Sequence, residues 1–504
     1  MMGKPCFLGI DVGTESARAV IFDVHGKAVG DGSAAYATHF VGPGWAEQDP
    51  EEVWKALLTA VRTAIQTAPG ADVQGCSLAS TAVTVVTVDR GGNTFDPAIL
   101  WMDTRASAEA AEISAIGHPA LWYTGNAVSP EWMLPKALWL KRHALHRYRK
   151  ARYIVELHDW LIFRLTGRWA LSLATISGEW SYVSELGGWP LDLLEALDLA
   201  DLPGKWPADV LLPGQPVGHA TREFSMETGF PLGLPIAQGL MDSYAAAIAA
   251  NVFAPGRLSL SLGSSSSYLV LTDTPRSDPR LLGPVPDAFG SGTWATQGGQ
   301  TSAASLLRWL HDQLAPHVSY RDLDREAEMI PPGSEGLRAL DTWQGSRTPY
   351  RDPSSRGSFW GLSLGHKRAH LYRALLEAVA FGGRQIIEVM QEASVKVEDI
   401  VACGGGRRSP LWMQIHADVL GKSITVLNEP NAAALGAAIC SAVATGFYSD
   451  LRQAAEALAH PGPTFTPNPT RQLIYNAGYS DYLAGYAAHS KIRETPSYLD
   501  AAGR

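Results

Sequence analysis

Cysteine is scarce in this chain of 504 residues. Four cysteines occur, Cys6, Cys76, Cys403 and Cys440, and no two of them form a C-x-x-C pair. Such sparse and scattered cysteines exclude a disulfide framework as the basis of the fold, and they favour a reducing compartment. We therefore expect a protein that folds around a hydrophobic core.

Long apolar runs and excess positive charge are also missing. The most apolar stretch, residues 432–446, is too short to span a membrane and is rich in Ala and Gly, which predicts a buried helix. The N-terminus lacks the apolar region and cleavage site of a signal peptide. The formal net charge is −9, which disfavours a broad nucleic-acid-binding surface. We expect a soluble, cytoplasmic protein with neither nucleic acid nor membrane as a partner.

The chain instead carries an α/β pattern that occurs twice. Residues 9–23, GIDVGTESARAVIFD, are two apolar strand segments around a polar turn, and residues 256–272, GRLSLSLGSSSSYLVLT, repeat this arrangement about half a chain later. Between them, Asp49 followed by Pro50 predicts the start of a helix. The repeated pattern is what a duplicated domain would leave, and it predicts a boundary near residues 250–256.

The first polar turn has the chemistry of a phosphate-binding site. Gly13 allows close approach of the backbone to an anion, while Thr14, Ser16 and Arg18 add hydroxyl and guanidinium donors. A carboxylate beside phosphates is repelled unless a cation lies between them, so Asp11 is predicted to face Mg²⁺. A plain hairpin with Asp11 as a turn former explains this stretch equally well by itself.

Two later turns offer further backbone donors. The turn at residues 262–267 contains Gly263 and Ser264 and, taken alone, is also compatible with an ordinary serine-rich turn. Residues 402–410, ACGGGRRSP, follow a predicted strand and open a predicted helix, where three glycines allow a nucleotide to approach the backbone. A flexible glycine connector is the alternative for this second segment.

Three other local patterns have competing interpretations. Asp242 ends the strand-like PIAQGLMD, where it is either a catalytic base or a helix N-cap, and local sequence favours the cap. Residues 421–423, GKS, resemble the end of a P-loop, but His416 occupies the required glycine position. Residues 361–365, GLSLG, match the nucleophile elbow of hydrolases around Ser363 without a long buried strand before them, which leaves a serine hydrolase as a remote alternative.

Four stretches of this chain resemble the FGGY family of carbohydrate kinases. They are GIDVGTESARAVIFD, SLGSSSSYLVL, ACGGGRRSPLWMQIHADVLGKSITVLNEPNAAALGAA and GSFWGLSLGHKRAHLYRALLEAVAFG, and the resemblance extends from about residue 7 to about residue 448. It implies an α/β fold of the actin/hexokinase type, with two ribonuclease-H-like domains, residues 1–252 and 253–504, flanking a cleft. The first domain would bind the sugar and the second the nucleotide, with the last ~50 residues packing back on the first. ATP and Mg²⁺ are the implied cofactors.

The resemblance also implies roles for individual residues. Asp242 falls at the catalytic aspartate of the family's G-x-x-D motif, so the general base becomes the preferred interpretation, and Asp11 is the implied metal ligand. The implied nucleotide-binding residues are Gly13, Thr14, Arg18, Gly263, Ser264, Gly404, Gly405, Gly406 and Ser409. The implied substrate-binding residues are Ser80, Thr81, Trp101, Asp103, Glu131 and Asp242. The contribution of Lys136 and Arg308 to ligand binding is left open.

Residues 129–140, SPEWMLPKALWL, resemble the E-W-x-x-P-K segment of ribulokinases. This implies an ATP-dependent kinase that phosphorylates a primary hydroxyl of a ribulose-like ketopentose. The segment LASTAVTVV reproduces the threonine-rich loop of ribulokinases only in part, and position 264 is Ser where Thr is common. Xylulokinase and kinases of erythritol, ribitol or glycerol therefore stay open, as does a non-catalytic sugar sensor. A homodimer is one expectation for the assembly.

Overall fold

The computed structural model describes residues 4–494. The strands are β1 (Pro5–Val12), β2 (Ser16–Asp23), β3 (Ala28–Ala35), β4 (His39–Gly42), β5 (Trp45–Gln48), β6 (Asp72–Ser80), β7 (Val85–Val88), β8 (Ala98–Ile99), β9 (Tyr153–Glu156), β10 (Leu171–Ser172), β11 (Val210–Leu211), β12 (Pro216–His219), β13 (Pro235–Met241), β14 (Arg257–Leu262), β15 (Ser266–Thr272), β16 (Leu282–Pro286), β17 (Trp294–Gln300), β18 (Arg338–Ala339), β19 (Phe359–Trp360), β20 (Asp399–Cys403), β21 (Ile424–Leu427) and β22 (Pro461–Phe465). The helices are α1 (Pro50–Thr67), α2 (Ser107–Ile116), α3 (Met133–His143), α4 (Leu145–Lys150), α5 (Leu157–Thr166), α6 (Leu173–Glu179), α7 (Leu191–Ala196), α8 (Arg222–Thr228), α9 (Asp242–Ala249), α10 (Ala304–Leu314), α11 (Tyr320–Glu328), α12 (Arg368–Glu392), α13 (Pro410–Leu420), α14 (Ala432–Ala444), α15 (Leu451–Leu458) and α16 (Pro469–Glu494).

The chain divides into two compact units. Unit 1 contains the chain up to Pro255 together with Val270–Thr296 and Leu427–His460. Unit 2 contains Gly256–Leu269, Gln297–Val426 and the chain from Pro461 onward. Each unit is therefore assembled from segments that are far apart in sequence.

Unit 1 is built on a six-stranded sheet with the order β12-β13-β6-β1-β2-β3. Strands β13, β6 and β1 are parallel, whereas β2 and β3 continue the sheet in antiparallel pairs. The three parallel strands are almost entirely buried, as expected for strands covered on both faces. Their carboxyl ends lie side by side at one edge of the sheet.

Helix α14 covers this sheet and depends on small residues. Gly9 of β1 lies directly against the main chain of Ala434, and Gly436 lies directly against the main chain of Ala245 in α9. A Cβ atom at either glycine would overlap a carbonyl group of its neighbour. The Ala- and Gly-rich stretch predicted to be a buried helix is thus a helix that packs against β1 and α9 at very short range.

Unit 2 contains the second hairpin and a parallel sheet, in which β14, β20 and β21 are adjacent. Ser261 at the end of β14 is opposite Cys403 at the end of β20, so the turns after these strands lie next to each other. Helix α16 contacts α12, α13 and β18 of this unit. Within unit 2 the tyrosines of α16 reach buried polar groups. The predicted packing of the last ~50 residues on the first domain stays a prediction.

Several helix boundaries follow the capping signals. Asp49 is the N-cap of α1 and its side chain accepts a hydrogen bond from Glu51 N at 2.9 Å, with Pro50 as the first helical residue. The preceding residues, Trp45–Gln48, form the short strand β5. Over residues 4–494, no helix is both long and apolar enough to cross a membrane.

Candidate functional site

Three candidate segments meet at the carboxyl edge of the unit 1 sheet. In the register of the sheet, Ser80 at the end of β6 is opposite Val12 of β1 on one side and Met241 of β13 on the other. The first polar turn, residues 13–15, is predicted to bind phosphate and is called the first phosphate turn. This turn, the Ser80–Thr81 segment and Asp242 therefore follow neighbouring strands. The carboxyl edge of parallel strands is where open α/β sheets bind ligands.

Asp11 and Arg18 face each other across the first hairpin. Their Cα atoms are paired in the antiparallel register, and Arg18 Nη1 lies 3.0 Å from Asp11 Oδ2. Burial raises the pKa of Asp11, and the charge and hydrogen bond of Arg18 oppose this effect. A buried carboxylate with one cationic neighbour is well suited to a further cation.

Asp242 begins α9 immediately beyond β13. Its Oδ1 accepts a hydrogen bond from Ser243 N at 2.6 Å. Loss of hydration, reinforced by the negative charge of Asp11, raises the pKa of Asp242 to about 7, although Ser243 N and Arg18 act in the opposite direction. A carboxylate with a near-neutral pKa is suited to accept a proton in catalysis.

The first phosphate turn is braced by side chains from other segments. Gly13 O accepts a hydrogen bond from the Tyr36 hydroxyl, and Thr14 O accepts one from Gln48 Nε2 at 2.7 Å. The indole Nε1 of Trp101 donates to Thr14 Oγ1 at 3.0 Å. These contacts occupy the carbonyl groups of the turn and link a predicted substrate residue to a predicted nucleotide residue.

Tyr36 and Gln48 were missed by sequence reasoning. Gln48 directly precedes the N-cap of α1, so its position at the end of a short strand was a usable signal. Tyr36 lies in a loop after β3 with no motif around it. Burial raises the pKa of the Tyr36 hydroxyl, and the charges of Asp11 and Asp242 add to this effect while that of Arg18 opposes it.

The Ser80–Thr81 segment is anchored to the same sheet edge. Thr81 N donates to Val12 O at 3.0 Å, and Thr81 Oγ1 lies 3.3 Å from Thr84 Oγ1. Ser80 Oγ lies 3.3 Å from Nδ1 of His158. Burial lowers the pKa of His158 to about 4. Both hydroxyls are buried and already have protein partners, and their contact with a substrate stays a prediction.

Asp103 is fully buried and surrounded by donors. Its Oδ1 accepts from Arg105 N and Nε, each at 2.9 Å, and its Oδ2 accepts from Ala46 N and Arg105 Nη2, each at 2.7 Å. Arg105 also binds Glu47 at 2.8 Å. This network explains how the segment is held in place, and the sugar contact predicted for Asp103 stays a prediction.

Lys136 and Glu156 bind the backbone of Val83, two residues after the Ser80–Thr81 segment. Lys136 Nζ donates to Val83 O at 2.7 Å and to Leu100 O at 2.8 Å, while Glu156 Oε2 accepts from Val83 N at 2.8 Å. Val83 has a φ of +46°, which is unusual for a β-branched residue. Two buried charged side chains therefore fix the strained backbone beside Thr81.

Lys136 also lies among carboxylates. Burial lowers its pKa to about 8, although the charges of Asp103, Glu131, Glu156 and Glu179 act in the opposite direction. Glu131, predicted to contact the sugar, accepts a hydrogen bond from Ser129 Oγ at 3.3 Å. Glu179 was not predicted from the sequence, because nothing in its local pattern separates it from an ordinary helix end.

A cavity of about 1270 Å³ lies within unit 2. It is lined by five of the predicted nucleotide-binding residues, Gly263, Ser264, Gly405, Gly406 and Ser409, and also by Arg308. The cavity is large enough for a nucleotide. Sequence motifs that are about 140 residues apart thus form one binding surface, as parallel β14 and β20 dictate.

Local geometry explains the residue types in these turns. Gly404 has a φ of +83° and lies against Leu262, and Gly405 faces open space. Ser409 caps α13 by accepting a hydrogen bond from Trp412 N at 3.1 Å. The carbonyl oxygens of Gly263 and Ser264 accept hydrogen bonds from Ala304 N at 3.0 Å and Ala303 N at 2.8 Å. The start of α10 thereby orients the turn at residues 263–265, which is predicted to bind phosphate and is called the second phosphate turn.

The hydrolase pattern lacks its structural context. The preceding strand, β19, has only two residues, and the GLSLG segment is exposed. Ser363 Oγ accepts a hydrogen bond from Gly365 N at 3.3 Å, while His366 Nδ1 accepts one from Ser363 N. A nucleophile elbow requires a strand, a sharp turn and a helix, so the match is coincidental.

Comparison with known proteins agrees with these motifs. The N-terminal domain of the FGGY family of carbohydrate kinases matches residues 6–249, and the C-terminal domain of that family matches residues 258–445. Among curated relatives, a ribulokinase from Shouchella clausii is 32% identical, covering 94% of this chain and 93% of its own, and one from Geobacillus thermodenitrificans is 31% identical, covering 95% and 94%. The crystal structure of xylulose kinase from Rhodospirillum rubrum superposes with a TM-score of 0.84 at 30% identity, covering 97% of this chain and 99% of its own.

The predicted α/β fold of the actin/hexokinase type with two domains is thereby confirmed, as is the predicted family. The family matches span both halves of the chain and contain each of the predicted site residues. This chain belongs to the FGGY family of carbohydrate kinases, and it is an ATP-dependent sugar kinase.

Proposed function

We propose that this kinase transfers the γ-phosphoryl group of ATP to a primary hydroxyl of a ribulose-like ketopentose, with Asp242 as the general base. The observation that carries the proposal is the position of Asp242 at the carboxyl edge of unit 1, beside Asp11 and with a pKa of about 7. The substrate class is supported by the ribulokinase relatives, which align over more than nine-tenths of this chain.

The reaction requires one proton acceptor and stabilisation of charge. Asp242 accepts the hydroxyl proton as the sugar oxygen forms a bond to the γ-phosphorus and the bond from that phosphorus to the ADP oxygen breaks. Phosphoryl transfer needs little covalent participation by the protein, so positioning and electrostatic stabilisation provide most of the rate. Arg18 and the amide groups of the phosphate turns are the donors proposed for the phosphate oxygens.

The residues of unit 1 are suitable for Mg²⁺. Asp11 and Asp242 are neighbouring carboxylates, and the charge of Asp11 helps to raise the pKa of Asp242. Mg²⁺ is commonly held by one or two carboxylates together with waters and phosphate oxygens. Asp11 is the proposed ligand, with Asp242 nearby, and the ion would supply charge neutralisation for the phosphates when bound.

Xylulose is the second candidate substrate, because the xylulose kinase of known structure is 30% identical to this chain and covers 97% of it.

A coupled ADP-release assay tests the substrate. D- and L-ribulose, D- and L-xylulose, erythritol, ribitol, glycerol and gluconate are compared by kcat/KM, and we expect a ribulose to give the highest value. A higher value for a xylulose or a sugar alcohol would overturn the ribulose assignment but leave the kinase reaction intact.

The Asp242→Asn variant tests the base separately. We expect it to lose sugar-dependent ADP release by at least a hundredfold, since a general base typically contributes about 10² to 10⁴. Binding of ADP should be nearly unchanged. Wild-type turnover in this variant would exclude Asp242 as the base.

A further inference from the structure

One face of α16 carries four tyrosines. Tyr475, Tyr479, Tyr482 and Tyr486 follow each other at intervals of four, three and four residues, which places them on the same side of the helix. Each ring is at least nine-tenths buried. We call these four residues the tyrosine face. Three of its hydroxyls bind charged side chains, and two of those contacts continue toward the cavity of unit 2.

The first contact leads to a wall of the cavity. Arg373 Nη2 donates to the Tyr475 hydroxyl at 2.8 Å, and Arg373 Nε donates to Glu377 Oε1 at 2.9 Å. Glu377 in turn accepts from Gly333 N at 3.0 Å and from Ser334 Oγ at 3.2 Å. Residues 329–332, directly before this anchor, line the cavity, as do Tyr475 and Arg373 themselves.

The anchored loop needs such support because its backbone is strained. Residues 333–336 are four consecutive residues with positive φ, and two of them, Ser334 and Glu335, are not glycines, with φ values of +48° and +52°. A backbone of this kind persists only where the surroundings enforce it. The buried pair of Arg373 and Glu377 provides that enforcement, and Tyr475 fixes the arginine.

The second contact leads to the second phosphate turn. The Tyr482 hydroxyl donates to Asp341 Oδ1 at 2.7 Å, and Gln300 Nε2 donates to Asp341 Oδ2 at 2.7 Å. Ser266 Oγ completes the chain by donating to Gln300 Oε1 at 2.7 Å. Ser266 lies two residues after Ser264, so this network of fully buried groups ends at the turn that lines the cavity.

We propose that Tyr475 and Tyr482 are positioning residues for the nucleotide, so that α16 sets the shape of the nucleotide cavity through its hydroxyl groups. The inference rests on the assignment of the unit 2 cavity to ATP. Tyr475 holds the wall at residues 329–336, and Tyr482 holds the second phosphate turn. Neither role requires the hydroxyl to contact the nucleotide.

Tyr479 offers a matched control on the same face. Its hydroxyl donates to Glu388 Oε2 at 2.5 Å, and Glu388 binds Arg384, which binds Asn476 of α16 itself. This network returns to the helix and its members are partly exposed. Removal of the Tyr479 hydroxyl therefore costs a comparable hydrogen bond without affecting either route to the cavity.

The test measures ADP affinity by isothermal titration calorimetry, in the absence of sugar, for the full chain and for Y475F, Y482F and Y479F. Phenylalanine keeps the ring and its packing, and thermal unfolding reports any loss of fold. We expect Y475F and Y482F each to weaken ADP binding about tenfold, with KM for ATP raised in parallel and KM for the sugar unchanged, because a cavity wall that relaxes in the free protein must be ordered again on binding, which commonly costs about one decade in affinity. Y479F should stay within about twofold of wild type.

Three results would overturn the inference. Wild-type ADP affinity in both Y475F and Y482F would remove the hydroxyls from nucleotide positioning. An equal loss in Y479F would show that α16 contributes only general stability. Absence of ADP binding by the wild-type chain would overturn the cavity assignment and the inference with it, and this result is distinct from a failure of the ribulose assignment, which the sugar screen measures.

Discussion

Replacing Lys136 with Met tests how the strained segment beside the carboxyl edge is maintained. The substitution keeps most of the apolar stem but removes the ammonium group that binds Val83 O and Leu100 O. It also leaves Glu156, which binds Val83 N, without a nearby positive charge. The two carbonyl groups lose their charged donor. Of the two side-chain hydrogen bonds that hold the Val83 backbone at a positive φ, only the one from Val83 N to Glu156 is left.

The magnitude follows from the two buried hydrogen bonds that Lys136 Nζ donates to Val83 O and Leu100 O. A buried acceptor that loses its donor commonly costs about 1–3 kcal/mol, so we expect the free energy of unfolding at pH 7 to fall by about that amount. The pKa of Lys136 is lowered from 10.5 to about 8. Between pH 8 and pH 10.5, Lys136 is therefore protonated in the unfolded chain but neutral in the folded protein. Because the unfolded state binds one more proton in this range, the wild-type free energy of unfolding rises by about 3 kcal/mol from pH 8 to pH 10.5. The Met variant lacks this increase.

Urea unfolding from pH 7 to pH 10.5 measures both effects, with Lys141→Met as the control. Lys141 lies on the same helix but forms surface ion pairs with Asp198 and Asp201, whose loss costs about 1 kcal/mol or less. We also expect KM for the sugar to rise about tenfold in the Lys136 variant, because the Ser80–Thr81 segment relaxes. Unchanged stability and unchanged KM for the sugar would refute the positioning role of Lys136.

Three further predictions concern single sites. If Asp242 is the base, kcat/KM should fall about fivefold between pH 7 and pH 6, because its ionised fraction falls from about one-half to about one-tenth; a flat pH–rate profile over this range would contradict the assignment. Gln48→Leu should raise KM for ATP about tenfold by depriving Thr14 O of its donor, measured in the same coupled assay. Gly9→Ala should lower the free energy of unfolding by about 3 kcal/mol through overlap with α14, whereas Gly204→Ala, in open space, should change it little in a parallel denaturation experiment.

The turns that follow β14 and β20 could be predicted as turns because their chemistry is local. A glycine that lets a backbone approach an anion, or a serine that caps a helix, leaves its requirement in a few adjacent residues, as Gly404 and Ser409 do. Parallel pairing then brings the ends of β14 and β20 together without any long-range information beyond the strand order. The helix start at Asp49 was predictable for the same reason, since a cap depends on its immediate neighbours.

The remaining parts of the site depend on contacts between distant segments. Gln48 reaches Thr14, and Lys136 reaches Val83 and Leu100, across the interior of unit 1. Nothing in the sequence around these residues shows which carbonyl group they will meet. The contacts of α16 within unit 2 could not be predicted for the same reason, because its tyrosines bind Arg373, Glu388 and Asp341, which lie far away in the sequence.

The close seating of α14 against β1 has a consequence for biosynthesis. The ribosome produces β1 at the very beginning of translation, yet the helix that covers it is made only after residue 431. Until then, the glycine-lined surface around Gly9 lacks its natural covering. A nascent chain that ends near Pro255 therefore lacks α14, which is part of unit 1. We expect such a chain to bind chaperones and to fold stably only after α14 has left the exit tunnel.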